Sequence, residues 1–212
     1  MSQALGGAPS RRFVLATFNR DKARELQALL AVPEIEIVPW SDFAGAEPPE
    51  ETGQTLRENA LLKARAAALH TGLAAIADDT GLEVEALNGE PGVRAARFSG
   101  PDATYASNVA LLLERLRGMA PPLRGARFRT VCVAVFPEDG EVEAEGVLEG
   151  RITEAPRGGR GFGYDPVFEP MGSDRTLAEL TTEQKNEISH RARAAWALAR
   201  RLREHPATRR AP

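Results

Sequence analysis

What most constrains the fold is a repeated change of period along the chain. Arg12 to Thr17, RFVLAT, is a short β-branched and apolar run, the polar turn FNRDK follows, and ARELQALLAV then places Leu26, Leu29 and Leu30 at helical spacing. Strand, polar turn and helix follow one another directly. EIEIVPW alternates like a second strand before the Pro-rich acidic loop SDFAGAEPPEETG, and TLRENALLKARAAALHTG reads as a long Ala-rich helix stopped by Gly72. LAAIADD is the next strand, and its carboxyl end carries Asp78 and Asp79. ATYASNVALLLERLRGM makes another helix, ended by Gly118 and the pair Pro121-Pro122. ARFRTVCVAVFP and EVEAEGVLEGRIT are two strands joined around Asp139-Gly140, a hairpin signal. A Gly-rich loop, PRGGRGFGYDPVFEP, leads into LTTEQKNEISHRARAAWALARRLREH, read as one C-terminal helix with Ala195, Leu198 and Leu202 on one face.

This order predicts an α/β fold, a two-lobed single domain on a mixed β-sheet with flanking helices. Residues 12–205 form the domain, and 1–11 and 206–212 read as flexible ends without hydrophobic periodicity. Neither an internal repeat nor a linker of domain-separating composition is found. Balanced charge, 27 basic against 30 acidic residues for a net −3, provides no global positive field for a nucleic-acid polymer, although a local basic pocket for a small anion stays open. The single cysteine, Cys132, excludes an intramolecular disulfide and a multi-thiolate metal site, and in TVCVAVF it reads as a buried core thiol. With no apolar run long enough to span a bilayer and no signal-like segment near the N-terminus, a soluble cytoplasmic protein is the expectation.

Four constellations carry chemistry. TFNRDK, Thr17 to Lys22, sits at a strand-to-helix junction, where free N–H groups with Thr17, Asn19, Lys22 and Arg24 suit a phosphate; Asn19 or Asp21 can equally be a plain helix cap. Asp78 and Asp79 point opposite ways, so at least one faces a cleft, and one or two carboxylates completed by water and substrate phosphate are what Mg²⁺ prefers. Glu50 and Glu51 supply a second acidic source, while the bland reading of Asp79-Thr80-Gly81 is a polar turn. GGRGFGYDPVF offers two exposed-looking aromatics, Phe162 and Tyr164, beside Gly163 and Asp165, suited to stacking on a purine and reading its edge; a lid or simple turn explains such a loop as well. KNEISHRARA adds Lys185, His190 and Arg191. A straight helix does not bring Lys185 and Arg191 to one face, so the helix must start within this segment if both reach one pocket; otherwise they are solvated surface charge.

Together, LATFNRDKARELQALL, EETGQTLRENALLKARAAA, IADDTGLEVEALNGEPGVRAARFSG and GFGYDPVFEP…KNEISHRARA resemble the motif set of the inosine triphosphate pyrophosphatase family, the dITP/XTP pyrophosphatases. The resemblance runs from about Arg12 to Arg203. It implies a Mg²⁺-dependent active site in the cleft between two lobes, a homodimer, and hydrolysis of dITP, ITP or XTP to the monophosphate and pyrophosphate. Carried over residue by residue, it implies that Thr17, Phe18, Asn19, Arg20, Asp21 and Lys22 hold the triphosphate. Glu50 matches the loop metal carboxylate, with Glu51 one alignment step away. Asp79 matches the metal ligand that activates water, and Thr80 touches substrate. Phe162, Gly163, Tyr164 and Asp165 stack on and read the base, Lys185 binds the nucleotide, and His190 and Arg191 address the base edge. Phe18 stands where the family commonly has glycine, and Thr80 where it commonly has serine. A Maf-like pyrophosphatase for modified pyrimidine nucleotides and a non-catalytic nucleotide-binding module are the alternatives.

Overall fold

In the computed structural model, residues 11–31, 35–138 and 140–205 are described. Asp139, half of the hairpin signal, and the two ends expected to be flexible, apart from Arg11, lie outside these residues. Strand β1 (Arg11–Leu15) begins at Arg11 and runs into helix α1 (Arg20–Leu29); β2 (Ile35–Pro39), α2 (Leu56–Thr71) and β3 (Ala74–Val84) follow. A short β4 (Pro91–Gly92) precedes α3 (Tyr105–Arg115), the long hairpin β5 (Gly125–Phe136) and β6 (Gly140–Ile152), a short β7 (Phe168–Pro170), and helices α4 (Thr182–Ile188) and α5 (His190–Glu204). One mixed sheet of seven strands runs β2-β1-β3-β5-β6-β7, with β4 added beside β3. The β1 pairings with β2 and β3 are parallel, and the rest are antiparallel.

Local sequence explains most of the ends. Thr55 and Glu58 form a reciprocal capping box on α2, whose far end closes on Gly72 at φ +69°. Helix α3 stops at Arg115, short of the expected end, because Leu116 to Met119 tighten into turns that finish at Gly118, φ +77°. The expected single C-terminal helix is two: Ser189 is extended, and its hydroxyl accepts the Ala192 N–H to cap α5.

The largest difference concerns the aspartates. They lie in the middle of β3, not at its end, because TGLEV continues the strand and pairs with β5 as far as Val84↔Ala126. Long-range pairing overrides the turn propensity of Asp-Thr-Gly. Gly81 is needed there for another reason: a Cβ would come 2.9 Å from the Gly92 carbonyl oxygen where β4 crosses close.

Both faces of the sheet are packed. Leu26 and Leu29 of α1, its capping residue Leu30, and Ala195, Leu198 and Leu202 of α5 bury against Phe13, Leu15, Ile76 and Cys132. On the other face Ala60, Ala64, Ala67 and Ala68 of α2 lie on Val14, Ala75, Ala77, Val131 and Val133, small side chains permitting a close approach. Beyond the aspartates, Leu82, Val84, Phe128 and Leu148 form a third core with Val109 and Leu112 of α3 and with Phe168. The two lobes therefore share β3, β5 and β6. Helix α5 docks directly on β6 because Gly146 has no side chain; a Cβ there would strike the His190 carbonyl. Among the described residues, no helix is long and apolar enough to cross a membrane.

Candidate active site

Strand β1 leaves β3 early. Its last partner is Ile76, whose carbonyl also accepts from Ala16 N at 2.7 Å, and β4 joins β3 only at Leu82 and Glu83. Ala77 to Gly81 are thus paired with β5 on one side alone, and the chain turning from β1 into α1 passes the gap. A crevice at the carboxyl end of a parallel strand, where neighbouring connections diverge, is where open α/β sheets bind ligands. Asp78 stands opposite Cys132 and Asp79 opposite Val131, so Asp78 points to the α1/α5 face and Asp79 to the α2 face.

On the α1/α5 face the site is a network of buried charges. Arg191 Nε donates to Asp78 Oδ2 at 3.3 Å, Nη1 to Glu25 Oε2 at 2.6 Å and Nη2 to Thr80 Oγ1 at 3.1 Å. Lys185 Nζ donates to Glu25 Oε1 at 2.7 Å and to Asp165 Oδ2 at 2.6 Å. The break at Ser189 lets these two cations, on different helices, share Glu25. Lys22 Nζ lies 3.5 Å from Asp78 Oδ2. Burial disfavours the Asp78 charge, but Lys22, Arg191 and Lys63 outweigh it and hold the carboxyl well below its usual range. Glu25 is depressed in the same way by Arg191 and Lys185. Asp165, by contrast, is raised because burial prevails over Lys185.

Phe162 covers these cations, its ring centroid 4.9 Å from Lys185 Nζ and 5.3 Å from the Arg191 guanidinium carbon. Asp165 pins the loop by accepting Phe162 N–H at 2.8 Å. Tyr164, expected to be exposed, is buried in the α3 core, its hydroxyl donating to the Ala95 carbonyl at 2.8 Å. His190 is buried, stacks on Phe128 with centroids 4.5 Å apart, and meets Thr130 Oγ1 through Nδ1 at 2.7 Å. Burial, then Arg191 and Lys185, keep its ring neutral.

On the α2 face Lys63 Nζ bridges Glu51 Oε1 and Asp79 Oδ1, each at 2.9 Å, and Asn59 Nδ2 donates to Asp79 Oδ2 at 3.3 Å. Arg97 holds the Glu51 loop through its carboxylate at 3.2 Å and its carbonyl at 3.3 Å. Burial opposes the Lys63 charge, yet Asp79, Asp78 and Glu51 push its pKa up to about 12. Burial disfavours the Glu51 charge, but Lys63, with Lys22 and Arg97, outweighs it and holds Glu51 below its ordinary range, whereas burial leaves Asp79 above its own despite Lys63 and Lys22. Glu50, the expected loop ligand, is exposed and lies off the cavity; Glu51 lines it. Lys63 and Arg97 hold the second glutamate at the cavity.

A cavity of about 310 Å³ joins the two faces, lined by Thr17, Lys22, Glu51, Lys63, Asp79 and Thr80 and by Phe162, Gly163, Lys185, His190 and Arg191. At its β1 side Asn19 is the cap of α1, its Oδ1 accepting from Asp21 N and Lys22 N at 3.0 and 3.1 Å. Those amides are therefore occupied, and the helix end presents side chains more than free N–H groups to a ligand. Asn19 Nδ2 also donates to Tyr105 OH at 3.0 Å, which in turn reaches Asp21 at 3.3 Å. Arg20 is exposed and, like Asp21, does not line the cavity. Phe18 lines it, packed on Trp40.

Sequence reasoning missed Glu25, Asn59, Lys63, Arg97 and Tyr105. A signal existed for two of them: Asn59 and Lys63 are polar residues four apart on an otherwise apolar helix face. Glu25 lies one turn beyond Lys22 on the buried side of α1, a spacing with no meaning until α4 and α5 arrive.

This architecture has known counterparts. The curated dITP/XTP pyrophosphatase of Methylococcus capsulatus is 52% identical over 197 residues, covering 91% of this chain and 96% of that protein. The dITP/XTP pyrophosphatase of Elusimicrobium minutum is 50% identical over 197 residues, covering 91% of this chain and 100% of the relative. A solved HAM1 protein from Coxiella burnetii superposes with a TM-score of 0.83 at 43% identity, covering 92% of this chain and 99% of that one. The Ham1 family profile matches residues 13–201, and with the same fold and nearly the whole length shared, the chain belongs to the Ham1 family.

Proposed function

We propose that the protein hydrolyses dITP, ITP and XTP between the α and β phosphorus atoms, releasing the nucleoside monophosphate and pyrophosphate. One observation carries this reading: a single cavity joins an aromatic ring backed by two cations, Phe162 over Lys185 and Arg191, to an acid–lysine centre of Glu51, Lys63, Asp79 and Lys22. The first end suits a purine and the second a polyphosphate. The names of the relatives support the same activity.

Phe162 stacks on the base. Lys185 spends two of its three N–H groups on Glu25 and Asp165, leaving one for a substrate oxygen. Arg191 keeps N–H groups beyond the three already engaged. A 6-oxo purine supplies an acceptor to these donors; the 6-amino group of adenine sets donor against donor, and leaving a buried donor unpaired costs about 1–3 kcal/mol. Lys22 and Lys63 face the phosphates, with Thr17 and Thr80 beside them.

Glu51 and Asp79 fit a divalent cation, because both carboxylates converge on one nitrogen at 2.9 Å. Mg²⁺ takes one or two carboxylates and completes its shell with water and substrate phosphate. When bound, Mg²⁺ supplies neutralisation of the phosphate charge and a lowered pKa for water. Asp79 orients the attacking water and accepts its proton, and Asn59 holds the carboxylate in place through Oδ2. Lys22 and Lys63 stabilise the charge that develops on the departing pyrophosphate. A cytoplasmic homodimer belongs to the same reading, and light scattering on the purified protein tests the dimer.

A nucleotide panel with separate detection of pyrophosphate and orthophosphate tests the activity. Pyrophosphate from ITP, dITP and XTP, with little from ATP, is the expected result. Release of orthophosphate alone, or preference for a modified pyrimidine nucleotide, refutes it.

A further inference from the structure

The wall at the α2 end of the cavity has no part in that reaction. Phe18 is 39% exposed, and its ring centroid lies 5.4 Å from that of Trp40. Trp40 Nε1 donates to His70 Nδ1 at 2.9 Å, and His70 Nε2 lies 3.0 Å from the Ala44 carbonyl, which sets the proton on Nε2. The polar edge of the indole is thus satisfied away from the cavity, and the ring is held in one orientation. Pro48 and Pro49 line the cavity with Phe18 and Trp40. Phosphate oxygens seek N–H donors, and none of these four side chains presents one to the cavity.

The pleat of β3 places this wall on the Asp79 face, while Phe162 and Tyr105, with ring centroids 5.7 Å apart, stand with the Asp78 face. The cavity thus holds an aromatic wall on the Asp79 face, another with the Asp78 face, and the charged groups Glu51, Lys63, Asp79 and Lys22. That is the pattern of a base, a polyphosphate and a second base.

Building on the proposed activity, we infer that Phe18, backed by the buried Trp40, forms a second ring-binding subsite. The enzyme accepts nucleotides whose terminal phosphate is esterified to another nucleoside, the dinucleoside polyphosphates. In diinosine triphosphate, which is ITP esterified at its γ-phosphate to a second inosine, water adds to an α-phosphorus. The bond from that phosphorus to the bridging oxygen breaks, the electron pair leaves on that oxygen, and the water proton passes through Asp79 to solvent. The products are IMP and IDP, and no co-reactant beyond water is consumed.

The test compares initial rates of IMP formation from ITP and from diinosine triphosphate, in the parent enzyme and in Phe18→Gly and Phe18→Tyr. The ratio of kcat/KM for the dinucleotide to that for ITP should fall about tenfold in Phe18→Gly, as for loss of one base-stacking ring. Phe18→Tyr, which keeps the stacking face, should hold the ratio within twofold of the parent. A dinucleotide left intact while ITP is cleaved overturns the subsite, as does an unchanged ratio in Phe18→Gly or an equal fall in Phe18→Tyr. Failure on ITP itself overturns the proposed activity, and the subsite with it.

Discussion

Replacing Glu25 by glutamine asks whether one buried carboxylate assembles the base-binding cations. Glu25 accepts from Lys185 at 2.7 Å and from Arg191 at 2.6 Å, and its side chain is 13% exposed. Hydrogen bonds to charged groups are worth about 1.5–3 kcal/mol each; glutamine keeps one neutral acceptor worth about 1 kcal/mol and turns an N–H₂ toward a cation. The net loss is about 3 kcal/mol, or about 6–12 °C in Tm for a chain of this size. The sign with pH follows from the depressed carboxyl of Glu25. Its contribution is complete above its ordinary value near 4.5 and is lost as pH falls through the lower folded value. Urea unfolding of both proteins, followed by tryptophan fluorescence between pH 7 and pH 3.5, measures the gap. It should be full at pH 7 and narrow on acidification. A gap below about 1 kcal/mol at pH 7, or one that does not narrow with acid, refutes the argument that this carboxylate neutralises the clamp.

The remaining expectations concern the catalytic carboxylates and the buried histidine. Asp79→Asn retains an oxygen for Asn59 or Lys63 and so should fold, while pyrophosphate release from ITP falls about 10²–10⁴-fold, the range for removing a general base. Glu51→Gln should raise the Mg²⁺ concentration for half-maximal rate, and Glu50→Gln, altering an exposed residue off the cavity, should leave it unchanged; the opposite ranking would reassign the loop ligand. His190, held neutral by burial, takes up no proton in the fold, whereas the unfolded chain does so below its ordinary value near 6.5. Stability should therefore fall as pH drops below that value, by up to about 1.4 kcal/mol per unit, and His190→Gln should flatten this part of a pH–stability curve.

Sequence alone determined the kinds of element and much of the chemistry. Apolar runs, Ala-rich helical spacing and caps such as Thr55 with Glu58 act through neighbours in the chain, so they are readable from it. Asp79, Lys22, Phe162, Lys185 and Arg191 were legible as chemistry-bearing residues because their types suit a phosphate or a purine and their motifs resemble one family. Tertiary structure decided the rest. Whether β3 stops at Asp79 depends on β5, which pairs it to Val84. Whether Tyr164 faces solvent depends on α3, and whether Glu50 or Glu51 enters the cavity depends on Lys63 and Arg97. Glu25 was silent for the same reason: its two partners lie 160 and 166 residues away. Strand pairing and burial are settled by distant segments, and only the packed molecule puts them side by side.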